Sequence, residues 1–285
     1  MCILFLALSP PAISKRKYKF ILGSNRDEYY VRPTHLLCQW KDHPNILGPY
    51  DLEREGYGTW LGINKENGRF GTLTNYRIPH SEKAIVKSLI KEKKLLGRGA
   101  LVTDYLMSSM SSMDYTAKFM ENKTSYGKCN LIVGDLSLDK PHLIYSTNAV
   151  EHDVVHLDEG IHGLTNKTLD YPWQKLVSGK EHFTQVLQEY SEPQQLIEEV
   201  VKVMSNDVTY KHDPSVDDLD WGDDWKIPLS SVFVTNKPVK YGTRTTSVIL
   251  VEEDGTGWYY EQSLKEPIDT NEFVWEKEIL NFHLK

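Results

Sequence analysis

The sequence is poor in cysteine: its 285 residues include three, Cys2, Cys38 and Cys129, and no two lie close together in the chain. An odd number without a close pair provides neither a disulfide framework nor a metal site of the Cys-x-x-Cys type. A reducing compartment therefore fits best. We expect no structural metal and no cofactor.

Long apolar runs and an excess of positive charge are also missing. No segment approaches the ~18 apolar residues of a membrane-spanning helix. The first apolar run, residues 3–8, lacks a preceding basic stretch and soon meets Pro10 and Pro11, so we expect no secretory signal. The net charge of -7 argues against a nucleic-acid partner and a polybasic membrane anchor. We expect a cytoplasmic protein, and association with mitochondria or the Golgi stays open.

Strand-like segments occupy both ends of the sequence, and helical patterns lie between and within them. Strands are predicted at residues 2–8, 18–24, 58–63, 69–75, 130–136, 142–147, 154–157, 160–164, 231–235, 245–251 and 257–263, with a closing strand or helix at 273–282. Helices are predicted at 98–109, 113–121, 173–190 and 193–205.

This pattern indicates an α+β fold of two packed sheets covered by helices. Sheets built from early and late strands cannot form separate halves, so we predict one domain over residues 1–285. The acidic, turn-rich segment 212–226 is predicted to be a surface loop, because its spacing does not match a calcium-binding EF-hand.

Cys2 is the most suggestive single residue. It follows the initiator methionine, and removal of Met1 is expected to leave Cys2 first in the chain. One residue would then carry a nucleophilic thiol and an α-amine whose pKa near ~8 suits a general base. The alternative is an inert structural cysteine, and Cys2 alone does not decide between the two.

A polar segment, Ser24–Glu28, follows the predicted second strand. Beside Cys2, Arg26 would favour the thiolate and Asp27 would orient the α-amine. An exposed turn with an Arg–Asp salt bridge is the alternative.

Three further polar segments end or begin apolar strands. Asn75 and Asn166 each follow a Leu-Thr pair. A neutral amide suits the stabilisation of an oxyanion, although asparagine is also common in turns. Arg244 enters a buried strand and needs a protein partner or an anionic substrate group.

These residues carry a resemblance to the transport and Golgi organisation family, whose name-giving signature Asn-Arg-Asp-Glu corresponds to Asn25–Glu28. The matching blocks cover nearly the whole chain. They are Met1–Ile3, Asn25–Tyr29 followed by Arg32-Pro33, Gly58–Ile63, Leu73–Tyr76, Gly97–Gly99, Asn130–Ile132 with Asp135-Leu136, Gly163–Asn166, Pro172-Trp173 with Lys175-Leu176, and Tyr241–Thr245.

The family is similar in turn to the N-terminal-nucleophile hydrolases, closest in pattern to cholylglycine hydrolases and penicillin V acylases. The resemblance implies a four-layer αββα sandwich with Cys2 as the nucleophile. It implies catalytic roles for Arg26, Asp27, Asn75, Asn166 and Arg244. We add, as a predicted ligand-binding set, Asn25, Glu28, Trp60, Tyr76 and Thr243.

One departure from those acylases concerns Arg26 and Asp27, which are adjacent here and separated by two residues there. Neighbours on a strand point to opposite faces. Both side chains can therefore face Cys2 only if the strand has ended or bulged at this point.

Two functional hypotheses remain open. In the first, Cys2 hydrolyses a linear amide or thioester of an amphipathic ligand. In the second, the same pocket binds or carries haem or acyl lipids without turnover. The resemblance implies roles in lipid and haem homeostasis and in secretory-pathway organisation, whereas the sequence itself contains no haem-binding motif.

Overall fold

A computed structural model describes residues 2–10, 17–53, 56–78, 88, 95–137, 140–211, 213 and 222–285. The strands are β1 (Ile3–Leu8), β2 (Tyr18–Tyr29), β3 (Thr34–Gln39), β4 (Ile46–Asp51), β5 (Leu61–Asn64), β6 (Arg69–Asn75), β7 (Cys129–Asp135), β8 (His142–Thr147), β9 (Val155–His156), β10 (Gly160–Leu164), β11 (Thr235–Asn236), β12 (Tyr241–Glu252), β13 (Thr256–Leu264) and β14 (Trp275–His283). The helices are α1 (Gly99–Met107), α2 (Ser112–Glu121), α3 (Gln174–Glu189), α4 (Pro193–Met204) and α5 (Asp223–Leu229), with a 3₁₀ turn at Lys123–Ser125.

The described chain divides into two compact units. The first contains the residues up to Pro33, Glu159–Thr165 and Leu169–His283, and the second contains Thr34–Asp158, Asn166–Thr168 and the last two residues. Early and late strands thus build one unit and middle strands build the other. The single domain over residues 1–285 stays a prediction.

The first unit is built on an antiparallel sheet with the strand order β10-β1-β2-β12-β13-β14, to which β11 adds by pairing with β12. Alternate residues of β1, Ile3, Phe5 and Ala7, join the apolar cluster beneath α3 and α4. The cluster continues through Phe183 and Val200 of those helices. Strand β1 is buried along its whole length, as its unbroken apolar sequence predicts.

The second unit is built on an antiparallel sheet with the order β3-β4-β5-β6-β7-β8-β9. Helix α1 packs on β5, β6 and β7, and α2 packs on β7 and β8. Gly62 and Gly71 lie opposite each other in the β5–β6 ladder. A Cβ atom at Gly62 would stand 2.7 Å from Leu106, and one at Gly71 would stand 3.0 Å from Val102. The missing side chains therefore let α1 approach the sheet.

The structure confirms strands β6 and β10 with the predicted bounds, and it confirms both helices of the first unit's apolar cluster to within one residue at each end. The closing segment is a strand. The α+β class is confirmed, whereas the four-layer sandwich stays a prediction.

Several predicted boundaries were wrong. Strand β2 does not end at Ser24 but continues to Tyr29, because β12 pairs with it as far as Tyr29. The predicted strand 231–235 is reduced to a two-residue strand, β11. Strands β3 and β4 were not predicted. Of the acidic segment, residues 212 and 214–221 lie outside the described residues, and residues 223–226 begin helix α5 rather than a loop.

Candidate functional site

Cys2 lies immediately before β1, next to the polar half of β2. Ile3 pairs with Asn25 across the antiparallel ladder. Because the register continues outward from that pair, Cys2 comes alongside Arg26 and Asp27. The thiol is half-buried and is not part of a disulfide. The structure therefore brings the predicted nucleophile to the Asn-Arg-Asp-Glu segment.

The surroundings of Cys2 favour the protonated thiol. Burial raises the pKa of the Cys2 thiol above its ordinary value, and the Asp27 carboxylate adds to the rise. The positive charge of the N-terminus, a hydrogen bond from the backbone N–H of Asp27 and the positive charge of Arg26 lower the pKa, but they do not cancel the effect of burial. The resting residue is therefore a thiol that needs a base before it can attack.

Asp27 is buried and is held by a hydroxyl group. The Thr243 hydroxyl donates to Asp27 Oδ1 at 2.7 Å. The Thr243 Oγ1 also accepts the backbone N–H of Val234 at 2.9 Å. Burial raises the pKa of the Asp27 carboxyl group, while the positive charge of the N-terminus, Lys175 and the Thr243 hydroxyl act to lower it. Thr243 was predicted to bind ligand, and its observed contacts show that it orients Asp27.

The irregularity that the adjacency of Arg26 and Asp27 requires is present, but it lies in the neighbouring strand. Thr243 pairs with Asp27 and Thr245 pairs with Arg26, which leaves Arg244 as an extra residue in β12. A β-bulge of this kind locally re-aims side chains. Strand β2 itself runs through the signature without ending.

Arg244 projects from this bulge and has protein partners. Its guanidinium group donates to the backbone carbonyls of Tyr29 and Arg32 and forms an ion pair with Glu266. These contacts tie the end of β2 to β12. The buried arginine thus has the compensation that the sequence required, and its predicted catalytic role stays a prediction.

Asn25 is fully buried and links three elements. Its Nδ2 donates to the carbonyls of Met204 and Val232, at 2.7 and 3.1 Å, and its Oδ1 accepts the Thr246 hydroxyl at 2.8 Å. The amide therefore joins the end of α4 and the segment before β11 to the sheet. Its predicted part in ligand binding stays untested.

The two other charged residues of the signature differ in their surroundings. Arg26 is buried opposite Thr245. Glu28 lies nearer the surface, accepts the backbone N–H of Tyr29 and forms an ion pair with Arg32 at 3.6 Å. The predicted alternative, an exposed turn with an Arg–Asp salt bridge, was wrong for Arg26 and Asp27, because both are buried within β2.

The sequence-based set omitted Lys175, which is buried at the start of α3. Its Nζ donates to the carbonyls of Leu229 and Ser231, at 2.8 and 3.2 Å, and lies 5.6 Å from the centre of the Trp173 ring. Its charge also lowers the pKa of the Asp27 carboxyl group. Two sequence features could have pointed to Lys175: it lies beside the apolar stripe of a predicted helix, and it belongs to one of the blocks that match the family.

In the second unit, the structure brings Asn75 and Asn166 together. The Asn166 Nδ2 donates to the backbone carbonyl of Asn75, and the Arg77 N–H donates to the backbone carbonyl of Asn166 at 2.8 Å. Asn166 is buried and Asn75 is exposed at the end of β6. Their predicted roles at an oxyanion stay predictions.

A buried amide that the sequence-based set did not include supports this pair. Asn130 donates to the Thr74 hydroxyl at 3.0 Å and to the backbone carbonyl of Lys167 at 2.8 Å, and it accepts the Tyr145 hydroxyl at 3.0 Å. The network thereby fixes the residues that flank Asn75 and Asn166. Asn130 is the first residue of a predicted strand, and that position alone gave no reason to select it.

Trp60 and Tyr76, both predicted to bind ligand, belong to the second unit as well. Trp60 is buried, and its backbone carbonyl accepts the Thr72 hydroxyl at 3.0 Å. Tyr76 is partly exposed and has the Lys167 Nζ 5.9 Å from its ring centre. These contacts do not test ligand binding, so the predicted roles of Trp60 and Tyr76 stay predictions.

Two properties of the described residues concern metal binding and the crossing of a membrane. Among the parts of the chain that the structure describes, no group of three or more His, Cys, Asp or Glu side chains is arranged to hold a metal ion. Within the same residues, no helix combines the length and the apolar character needed to cross a membrane.

Comparisons with known proteins agree with the residue pattern. The family model described as Transport and Golgi organisation 2 matches residues 1–266. A human protein named Transport and Golgi organization protein 2 homolog is 35% identical over 292 residues, which cover 100% of both chains. Its mouse counterpart, the Transport and Golgi organization 2 homolog, is 33% identical over 291 residues, again covering 100% of both chains.

One solved structure is also similar. It is the Caenorhabditis elegans N-acylethanolamine-hydrolyzing acid amidase ortholog, at 14% identity and a TM-score of 0.46, with 70% of this chain and 85% of that chain covered. A TM-score of this size does not establish a shared fold.

Proposed function

This chain belongs to the Transport and Golgi organisation 2 family, and on that premise we propose that Cys2 is the nucleophile of an amide- or thioester-hydrolysing site. The proposed substrate is a linear amide or thioester of an amphipathic molecule, and the proposed fold is the αββα sandwich of N-terminal-nucleophile hydrolases. The biological role proposed with it is in lipid and haem homeostasis and in secretory-pathway organisation, at a cytoplasmic, mitochondrial or Golgi location.

The observation that carries the proposal is the position of Cys2 beside Asp27. The thiol accepts the backbone N–H of Asp27, whose carboxylate is oriented by Thr243. Because burial raises the pKa of the Cys2 thiol, attack needs an adjacent base. The α-amine released by removal of Met1 would be such a base, and the Asp27 carboxylate would hold it in place.

The proposed reaction has two steps. The Cys2 Sγ bonds to the carbonyl carbon while its proton passes to the α-amine and then to the leaving nitrogen or sulfur, whose bond to carbon breaks. Water then attacks the Cys2 thioester and gives a proton to the α-amine. The bond between the carbonyl carbon and Sγ breaks with release of a carboxylic acid, and the α-ammonium group returns the proton to Sγ. Oxyanion roles for Asn75 and Asn166 are implied by the family resemblance.

Intact-mass measurement of the protein from cells tests the first requirement. We expect loss of Met1 and, at neutral pH, faster labelling of Cys2 by iodoacetamide than of the fully buried Cys129. Retained Met1 in functional protein would contradict catalysis, because the amine would be locked in a peptide bond. Cys38→Ser is the matched control, since Cys38 is equally half-buried and the variant should keep any activity.

Hydrolysis itself can be measured with two defined probes, a palmitoyl amide of aminomethylcoumarin and palmitoyl-coenzyme A. Cys2→Ala should abolish release of product, and Cys2→Ser should reduce it by at least about a hundredfold, since a hydroxyl is a far weaker nucleophile than a thiol. Equal turnover by the wild type and Cys2→Ala would disprove the assignment.

The raised pKa of Cys2 also favours a second candidate, a non-enzymatic protein that binds or carries haem or acyl lipids. A protonated thiol is a poor nucleophile but is compatible with an apolar ligand. In that case Cys2→Ala would complement fully in cells, and haemin or palmitoyl-coenzyme A would raise the unfolding temperature of wild type and variant alike.

A further inference from the structure

Resting on the proposed function, we infer that Lys175 is a positioning residue of the Cys2 site, which holds the segment behind Thr243 and supplies a buried positive charge that favours the Asp27 carboxylate. No role follows for Lys175 from the family motif. The inference therefore stands on its location, its partners and its charge.

The location of Lys175 is unfavourable by itself. It is the second residue of α3, where the backbone N–H groups give the helix end a partial positive charge that repels a cation. It is also almost fully buried, and burying a charge requires compensation. An ordinary solvated lysine at this position would turn outwards, so specific partners must favour the observed position.

Those partners lead directly to Asp27. Lys175 donates to the carbonyls of Leu229 and Ser231. The same segment continues to Val234, whose N–H binds the Thr243 hydroxyl, and that hydroxyl donates to the Asp27 carboxylate. The lysine thus fixes the far end of the chain of hydrogen bonds that orients Asp27.

The charge of Lys175 acts on the same carboxyl group. Burial disfavours the Asp27 carboxylate, and Lys175 opposes this effect. The positive charge of the chain's N-terminus opposes burial more strongly than Lys175 does, whereas Cys2, Glu28 and Tyr30, which also interact with Asp27, are neutral or negative. In the proposed reaction Asp27 must be ionised to hold the α-amine. That amine gains and loses a proton during the reaction, whereas Lys175 takes no part in proton transfer, so its charge on Asp27 stays constant.

Three substitutions separate charge from hydrogen bonding. Lys175→Met removes both, Lys175→Gln keeps a donor for the carbonyls of the segment, and Lys175→Arg keeps the charge. The measurement is the titration of Asp27 by NMR with ¹³Cγ-labelled aspartate, and Asp27→Asn identifies the resonance. Lys180→Gln is the control on the same helix, because Lys180 is paired with Asp170.

We expect Lys175→Met and Lys175→Gln to raise the Asp27 midpoint by about one pH unit, the size of a nearby-charge effect. Lys175→Arg and Lys180→Gln should leave it where it is in the wild type. If Lys175→Gln titrates as the wild type does, Lys175 only holds the segment, and the role of its charge is wrong.

Folding does not obscure the test. If the Met and Gln variants fail to fold while the Arg variant folds, the cation is required, as we infer. If the Arg variant behaves like the Met variant, the inference is overturned. The titration needs neither substrate nor removal of Met1, so it can fail while hydrolysis is observed and succeed while hydrolysis is absent.

Discussion

The two compact units bury very different polar groups. Among the described residues, all the buried aspartate, glutamate, lysine and arginine side chains belong to the first unit: Lys19, Arg26, Asp27, Lys175, Asp213, Arg244 and Glu261. The buried polar side chains described in the second unit are amides and hydroxyls, such as Asn130, Asn148 and Thr74. Both sheets are antiparallel and seven-stranded, so the architecture does not account for the difference.

Chemistry explains the difference better. A buried charge changes the pKa of its neighbours and is expensive to bury without partners. A satisfied amide fixes geometry without that electrostatic effect. The unit that contains Cys2 therefore has the groups that adjust protonation, and the unit that contains Asn75 and Asn166 has a rigid, neutral network. Each prediction below changes a buried charge or a buried neutral polar group in one of the two units.

The largest effect is expected from placing a charge in the neutral network, with Asn130→Asp. The new carboxylate would be fully buried among the Thr74 and Tyr145 hydroxyls and the Lys167 backbone carbonyl. We expect a loss of about 3–5 kcal/mol of unfolding free energy at pH 7, measured by urea denaturation.

The stability of Asn130→Asp should depend on pH in a defined direction. A buried carboxyl group has a folded-state pKa above its unfolded value, so the variant recovers stability below about pH 4, where the carboxyl group is protonated in both states. Asn122→Asp, on the surface at the end of α2, is the control and should change stability little. An equal loss for both variants would argue against a neutral network.

A smaller effect is expected from removing the amide that joins elements in the first unit. Asn25→Leu leaves the Met204 and Val232 carbonyls and the Thr246 hydroxyl without their partner. Unsatisfied buried groups make a loss of about 2–4 kcal/mol the expectation. Thr246→Val removes one of the three bonds and should lose about 1 kcal/mol. If the two variants were equally stable, the contacts to Met204 and Val232 would contribute nothing.

The amino-acid pattern predicted those parts of the fold whose causes are local. Strand β6, Arg69–Asn75, directly follows the turn-forming pair Asn67-Gly68, and its predicted bounds were correct. Strand β4 was missed, since Gly48 and Pro49 are poor strand residues and the pairing of β4 with β3 decides the outcome. The extension of β2 was missed because its polar end is stabilised by β12, more than 200 residues away in the chain.

The candidate site was predictable to the same extent. The placement of Cys2 beside Asp27 followed from adjacent strands, and the structure agrees. Lys175 could not be selected, because its burial depends on carbonyl acceptors 54 and 56 residues further along the chain. Sequence patterns indicate which face of an element is apolar, but they do not identify which buried charge finds its partners.

The smallest effect is expected from removing the central charge of the first unit, with Asp27→Asn. The Asn side chain can still accept the Thr243 hydroxyl, so the geometry should persist. The pKa of Asp27 is raised in the folded state, so the wild type loses stability as the pH rises from the unfolded pKa near ~4 through the folded pKa. Asp27→Asn should lack this loss, which is about 1.4 kcal/mol for each unit by which the pKa is raised.

Urea midpoints at pH 4 and pH 7 measure this loss of stability: the difference between the two midpoints should be smaller in Asp27→Asn than in the wild type. Asp254→Asn is a control with the opposite sign, because the pKa of Asp254 is lowered in the folded state. Its loss of stability relative to the wild type should be larger at pH 7 than at pH 4. Identical pH dependence in Asp27→Asn and the wild type would mean that the carboxyl group of Asp27 titrates normally. The conclusion that the first unit adjusts protonation through its buried groups, unlike the second, would then be wrong.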